Sequence, residues 1–373
     1  MIYLNNAATS YRKPPCVNDA INKCLLDLPV GQFRSNQCEN NLILDCKDNI
    51  SKFINVKKKE NIFFTSGATE SFNLIINGLK LNNTHVLISV NEHNSVIRPL
   101  YNSKENIDIE LIKCDEFGYI NPLDIESQII PNTKAIFINH CSNVTGIVQD
   151  INKIGEIAKK HNLIFIVDVA QSLGCIKIDV ESANIGILVF TAHKSLMGIS
   201  GLGGFYLKGN IDVDIVKFGG NAKNSHLIKI DKNNKEFEVG TQNIVAIAAL
   251  KSSTDFLINE VKLNTLYANE LKKSLYLYSK LKKVENLIIY SNDNYNKGPL
   301  FSFNINYLDP SDVSYILYNS YEVITRVGLH CAPLIHKNLN TLNKGTVRIS
   351  LSYYTTYSEI DDFIKIIHEI TSI

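Results

Sequence analysis

Five arginines stand against thirty-three lysines in this 373-residue chain: Arg12, Arg34, Arg98, Arg326 and Arg348. Where lysine is the default cation, an arginine marks a place that needs a planar fork, able to grip a carboxylate through two parallel hydrogen bonds. Excess charge is missing too, with 38 basic and 37 acidic residues and a net charge of +1. That balance excludes the electrostatic footprint of a nucleic-acid or anionic-membrane binder. The longest uninterrupted apolar run, Ile244 to Leu250, is too short to span a bilayer. The first fifteen residues carry Asn5, Asn6, Thr9, Ser10 and Arg12 in place of a signal-peptide core, so a soluble, cytoplasmic protein is expected. The eight cysteines (Cys16, Cys24, Cys38, Cys46, Cys114, Cys141, Cys175 and Cys331) include no Cys-x-x-Cys pair. Most are expected to be reduced, inert core residues.

Length suggests two domains, or one large domain with a smaller partner. A short strand near Tyr3 runs into a turn, and Pro14-Pro15 opens a helix with Val17, Ile21, Leu25 and Leu28 on one face. Seven short apolar runs follow: Ile62–Thr65, Val86–Ser89, Ile107–Ile112, Ala135–Asn139, Leu163–Val167, Ile187–Thr191 and Gly204–Leu207. Helical patterns fall between several of them, such as Asp150 to His161 with Ile151, Ile154, Ile157 and Ala158 on one face. The pattern predicts an α/β fold with a mainly parallel sheet covered on both sides. In such sheets, ligands bind beyond the carboxyl ends of the strands. A long helix from about Ile244, a strand at Leu300 to Ile305 and a last helix opened by Ser358, with Ile360, Phe363, Ile364, Ile367 and Ile370 inward, complete the chain.

Unusual residues collect at the predicted strand ends. Thr65-Ser-Gly-Ala-Thr-Glu70 precedes a helix near Ser71 and offers backbone N–H groups to a phosphate, although Ser and Thr cap most helices. His93, in Asn91-Glu-His-Asn94, has an imidazole that could stack on a flat ring or simply be solvated. His140-Cys-Ser-Asn143-Val-Thr-Gly146 is a polar turn that could present an amide to a substrate. Asp168 follows Ile164-Phe-Ile-Val167 directly and needs a cationic or hydrogen-bonding partner, because a carboxylate on a buried strand is costly to desolvate. Lys194, in Thr191-Ala-His-Lys194, likewise follows a buried strand; desolvation disfavours its ammonium and leaves an amine able to form an imine. Taken singly, it reads as an ordinary exposed lysine.

One cofactor answers these oddities together. Pyridoxal 5'-phosphate needs a lysine, an anionic partner for its ring nitrogen, donors for its phosphate and a face to stack on. Lys194, Asp168, the Ala68-Thr69 turn with Thr191 and His193, and His93 supply these in turn.

The ordered motifs Thr65-Ser-Gly-Ala-Thr-Glu, Asn91-Glu-His, Ser142-Asn-Val-Thr-Gly, Val167-Asp-Val-Ala-Gln-Ser, Thr191-Ala-His-Lys and Glu238-Val-Gly-Thr-Gln-Asn resemble those of class V pyridoxal-phosphate enzymes of the cysteine desulfurase and selenocysteine lyase family. The resemblance covers nearly the whole chain. It implies the fold-type I transferase architecture: a large cofactor-binding domain over residues 16–254, with a seven-stranded sheet, and a smaller α+β domain built from residues 1–15 and 255–373. It also implies a homodimer with sites at the interface. On this resemblance Lys194 bonds the cofactor covalently, His93 stacks on it, Asp168 meets the ring nitrogen and Gln171 the phenolic oxygen. Thr69, Thr191 and His193 resemble phosphate ligands, with Thr241 donated by the other subunit. Asn143 and Arg348 match positions that hold a substrate carboxylate, and Arg34 stands where relatives have an arginine near the dimer site.

Arg326-Val-Gly-Leu-His-Cys331-Ala-Pro resembles the Arg-x-Gly-x-His-Cys-Ala segment of group II, SufS-like desulfurases. The implied reaction converts L-cysteine, or L-selenocysteine, to alanine with a persulfide on Cys331, for transfer to a sulfur-acceptor protein. His330 or Arg326 would favour the thiolate. Two residues depart from the pattern. Asn5 stands where many relatives have aspartate and is expected to alter only a local turn, and Leu329 replaces a histidine found in close group II relatives. Racemases, epimerases and aminotransferases of the family share every cofactor motif, so only Cys331 and its flanks argue for desulfuration. Selenocysteine lysis, transamination and a catalytically silent scaffold for sulfur trafficking are the competing readings.

Overall fold

Alternate side chains of the apolar runs are buried on opposite faces of one sheet, except in the run at Ile107–Leu111, where Asp108 and Glu110 are exposed. The computed structural model describes residues 1–26, 39–220, 228–229, 236–291 and 296–372. Arg34, Cys38 and the predicted loop at 31–36 lie outside the described residues. In chain order the strands are β1 (Ile2–Tyr3), β2 (Ile62–Thr65), β3 (Thr84–Ile88), β4 (Ile107–Leu111), β5 (Thr133–Asn139), β6 (Ile164–Asp168), β7 (Ile187–Thr191), β8 (Gly203–Leu207), β9 (Leu287–Ile289), β10 (Leu300–Ile305), β11 (Val323–Ile324), β12 (Arg326–Gly328) and β13 (Thr346–Ser350). All seven predicted runs are strands, with ends shifted by no more than two residues.

The large sheet has the order β2-β8-β7-β6-β5-β3-β4. It is parallel except for β8, which runs antiparallel to both neighbours. Leu87, Ile136, Ile138, Phe165, Val167, Leu188 and Phe190 pack on one face with the helices Glu39–Ile54, Ile151–Lys160 and Ile244–Phe256. Val86, Ile88, Phe137, Ile166, Ile187 and Val189 pack on the other with the helix Ala68–Gly78. Each fully buried side chain of this size contributes roughly 1.5–3 kcal/mol. Thr65, Asn139, Asp168 and Thr191 therefore all finish on one edge, as the position of ligand sites in such sheets requires.

A second, antiparallel sheet has the order β12-β13-β10-β9. Its core joins Phe301, Phe303, Val347 and Ile349 to Leu4 from the chain's beginning and to Ile360, Phe363, Ile367 and Ile370 of the helix Tyr357–Thr371. That helix is opened by Thr356, not Ser358, through a capping box with Glu359. Leu25 also departs from expectation. In the helix Pro15–Leu26, Val17 is buried whereas Leu25 is 67% exposed, and Leu28 lies outside the described residues.

The two sheets meet at the turn carrying Asn143. Ser302 Oγ on β10 donates to the Val144 carbonyl at 2.8 Å, and Gly298 N donates to the Gly146 carbonyl at 2.7 Å. Gly146 has φ +72°, and a Cβ there would stand 2.0 Å from the Leu300 carbonyl oxygen. Both the backbone angle and the contact demand glycine. Gly146→Ala should lower unfolding stability by about 2–4 kcal/mol, from left-handed strain plus overpacking. Urea denaturation of variant and wild type checks this, and a change below about 0.5 kcal/mol would show that the turn is not fixed as described.

Candidate active site

A cavity of about 310 Å³ opens at the strand-end edge, lined by residues from both sheets and from the chain's first ten residues. Its wall brings together Ala68, Thr69, His93, Asn143, Asp168, Gln171, Thr191, His193, Lys194, Arg326 and Arg348, which are eleven of the residues singled out in the sequence. Thr241 is exposed and lies outside this cavity.

Lys194 follows β7, whose five residues are all buried. Burial drives its pKa down to about 8; Asp168 opposes the shift, and Arg348 and Arg326 add to it. At pH 7 roughly a tenth of such a lysine is the free amine. Asp168, 3% exposed, accepts from Ala170 N at 2.8 Å. Burial raises its pKa, and no described cation forms an ion pair with it. The hydrogen-bonding partner that the sequence demanded is thus a backbone amide, while Lys194 acts on the carboxylate only through its field, outside ion-pair distance.

His93 caps the helix Asn94–Tyr101 by accepting from Ser95 N at 3.1 Å. Burial, then Lys194 and the arginines, hold its pKa down near 4, so the ring is neutral. His193 is likewise held near 4 by burial first, and its buried Nδ1 has no hydrogen-bond partner. Gly67 precedes the helix Ala68–Gly78 and supplies no side-chain cap, so the first N–H groups of that helix, among the cavity's lining residues, lack a side-chain acceptor. Gln171 Nε2 donates to the Ala7 carbonyl at 2.9 Å.

Arg326 and Arg348 are direct cross-strand partners on β12 and β13. Arg348 is 1% exposed; Nη1 donates to the Asn143 carbonyl at 2.9 Å, Nη2 donates to Asn5 Oδ1 at 3.3 Å, and Nε has no partner. Burial lowers its pKa to about 9, with Arg326 adding to the effect. Asn5, expected from the sequence to alter only a local turn, also touches the buried guanidinium with its side chain. That contact joins residues 343 apart and carries no local sequence signal.

Arg326 Nη2 lies 3.4 Å from Cys331 Sγ. Of the two candidates for favouring a thiolate, the structure brings Arg326 to the sulfur. His330 is 2% exposed and turns its Nε2 to the Thr346 carbonyl and hydroxyl, at 3.1 and 3.0 Å. Burial takes its pKa well below the ordinary value, so it holds no positive charge to share. His330 and Cys331 are consecutive residues with positive φ, +49° and +60°. Asn143 Nδ2 donates to the His330 carbonyl at 2.6 Å and Asn94 N donates to that of Cys331 at 2.7 Å, which hold the unusual backbone in place. All seven described cysteines are free, and three of them, Cys46, Cys141 and Cys175, are buried.

These unmet needs fit pyridoxal phosphate. Asp168 lacks a cation within ion-pair distance, the helix start at Ala68 and the His193 Nδ1 lack partners, and Lys194 is a depressed amine within the same walls.

Comparison with known proteins agrees. A protein named probable cysteine desulfurase in Methanothermobacter thermautotrophicus is 30% identical over 328 residues, 85% of this chain and 80% of its own. One of the same name in Borreliella burgdorferi is 29% identical over 395 residues, 100% of this chain and 93% of its own. The apo structure of cysteine desulfurase from Thermococcus onnurineus superposes with a TM-score of 0.89 at 27% identity, covering 100% of this chain and 94% of that one. The family described as aminotransferase class-V matches residues 2–363, and the chain belongs to that family.

Proposed function

We propose that the chain is a pyridoxal-phosphate-dependent cysteine desulfurase, cytoplasmic and homodimeric. It converts L-cysteine to L-alanine and holds the sulfur as a persulfide on Cys331 for an acceptor protein. In this reading residues 16–254 form the cofactor domain, and residues 1–15 with 255–373 form a small domain that completes the site. The observation that carries the reading is the 3.4 Å contact of Arg326 with Cys331, because Arg326 lines the same cavity as Lys194. Full-length relatives named cysteine desulfurase support it.

Bound in the cavity, pyridoxal phosphate supplies an aldehyde and an electron-withdrawing ring that stabilises negative charge on substrate carbons. Lys194 is the residue that would hold it covalently, and its Nζ would move protons on the substrate. Asp168 would face the ring nitrogen, and neutral His93 would stack on the ring. Gln171 meets the phenolic oxygen. The Ala68-Thr69 helix start, Thr191 and His193 would hold the phosphate, with Thr241 of a second subunit reaching it. Arg348 and the Asn143 amide orient the substrate carboxylate. Cys331 Sγ, beside Arg326, attacks the substrate sulfur as its proton leaves; the new S–S bond forms as the C–S bond breaks, and the C–S electron pair stays with the carbon, which takes a proton. The products are alanine and an enzyme persulfide, so the step balances without an outside oxidant.

The purified protein should be yellow, and borohydride should fix the cofactor on Lys194. Uptake of pyridoxal phosphate by the apoprotein should speed up roughly fivefold from pH 7 to pH 8 and level off above about pH 9, because only the uncharged amine reacts. Stopped-flow absorbance measures this, and a rate flat across that range would mean that Lys194 is not the titrating group.

Cys331→Ser should retain the cofactor and bind cysteine but lose at least about a hundredfold in alanine formation, since a hydroxyl is a far weaker nucleophile than a thiolate. Mass spectrometry of wild type treated with cysteine, without reductant, should find one added sulfur on the Cys331 peptide. Full turnover by the serine variant, or the added sulfur on another cysteine, would sink the desulfurase assignment.

Arg348→Lys should raise the KM for cysteine by roughly 10- to 100-fold with cofactor content intact, because a point charge cannot reproduce the two-bond fork. Steady-state kinetics decide, and an unchanged KM would leave Arg348 a purely structural role.

A further inference from the structure

Arg348 is buried as a cation whose hydrogen bonds all go to neutral oxygens. Its two contacts are the Asn143 carbonyl and the Asn5 amide oxygen, and its Nε has none. Among the described residues no carboxylate forms an ion pair with Arg348 or with Arg326, its cross-strand partner. A buried ion without a counter-ion is expensive, and a second like charge directly opposite adds to the cost. The residue best placed to remove that cost is Asn5. Its Oδ1 already touches Nη2 at 3.3 Å, and an aspartate of the same shape would put a full negative charge there.

The position of Asn5 is tightly fixed. Its backbone bridges to Ser350 on the strand that carries Arg348, and its carbonyl accepts from Ala8 N at 3.1 Å and from the Tyr3 hydroxyl at 3.3 Å. On one side Leu4 N donates to the Ile324 carbonyl at 2.8 Å, and on the other Ala7 N donates to Ser350 Oγ, also at 2.8 Å. The backbone from which the amide reaches the guanidinium is therefore held on both sides.

We infer that Asn5 is a positioning residue that aligns Arg348 without neutralising it, and so sets how tightly the site grips the carboxylate of its amino-acid ligand; this rests on the functional reading above. With asparagine, the first carboxylate to reach Arg348 is the ligand's. With aspartate, the ligand would have to share or displace an internal ion pair. Asn5 acts on ligand affinity through Arg348 and takes no part in bond breaking.

The test uses holoenzyme and L-alanine, which carries the same amine and carboxylate as cysteine but no sulfur. Binding can then be followed by titration calorimetry without turnover. Asn5→Asp should weaken alanine binding about tenfold or more and raise the KM for cysteine by a similar factor, with kcat changed less than about threefold. Asn5→Ala removes the acceptor and leaves the charge, so it should weaken alanine binding distinctly less than Asn5→Asp does. If Asn5→Asp binds alanine as wild type does, or Asn5→Ala is weakened as much, the charge argument is wrong and Asn5 only supports the fold. A wild type that binds alanine and releases sulfide keeps the functional reading intact in either case. A wild type that does neither overturns that reading and this inference with it.

Discussion

Two guanidinium groups face each other across the β12–β13 ladder, and much of the site follows from that repulsion. Like charges directly opposite in a sheet are destabilising, and here one member is almost wholly buried. The arrangement persists because the surrounding structure holds it, through neutral acceptors on Arg348 and the Cys331 sulfur on Arg326. Both arginines also help depress the Lys194 ammonium, although burial is the larger cause. The same pair thus touches the buried amine through its field and the Cys331 sulfur through Arg326.

Rigidity comes from short polar ties between segments far apart in the chain. The Asn143 turn is held to β10 by Ser302 and to the Cys331 loop by its own amide. A small apolar cluster of Val90, Val144, Ala332 and Ile335 packs the His93, Asn143 and Cys331 segments together. Glu92 shows how enclosed this region is. It is fully buried, and burial raises its pKa to about 8, with Ser89 Oγ donating to it at 2.6 Å. It is therefore held mainly as a neutral acid at pH 7.

Periodicity made the large sheet legible, because strands buried on both faces read as continuous apolar runs and polar residues begin where those runs stop. That is why Asp168, Thr191 and Lys194 could be placed from sequence alone. The placements that failed depend on distant contacts. Leu25 follows the helical period of Val17 and Ile21, yet among the described residues no neighbour covers it enough to bury it. Thr356 displaced Ser358 as the cap because Glu359 stands three residues after Thr356 and completes the reciprocal bonds. Neither the Asn5–Arg348 contact nor the turning of His330 toward Thr346 has any periodic signature, because both are set by how β13 is paired.

The first ten residues are knitted into the far end of the chain: Asn6 donates to the Ser350 carbonyl across a separation of 344 residues, and Ser10 N donates to the carbonyl of His193. For a chain made from its amino end, this fixes an order of assembly. The large sheet can collapse once β8 has emerged, but the cavity wall to which Ala7 and Arg348 contribute waits for β13. A polypeptide still on the ribosome therefore carries the lysine well before it has the pocket that would put it to use.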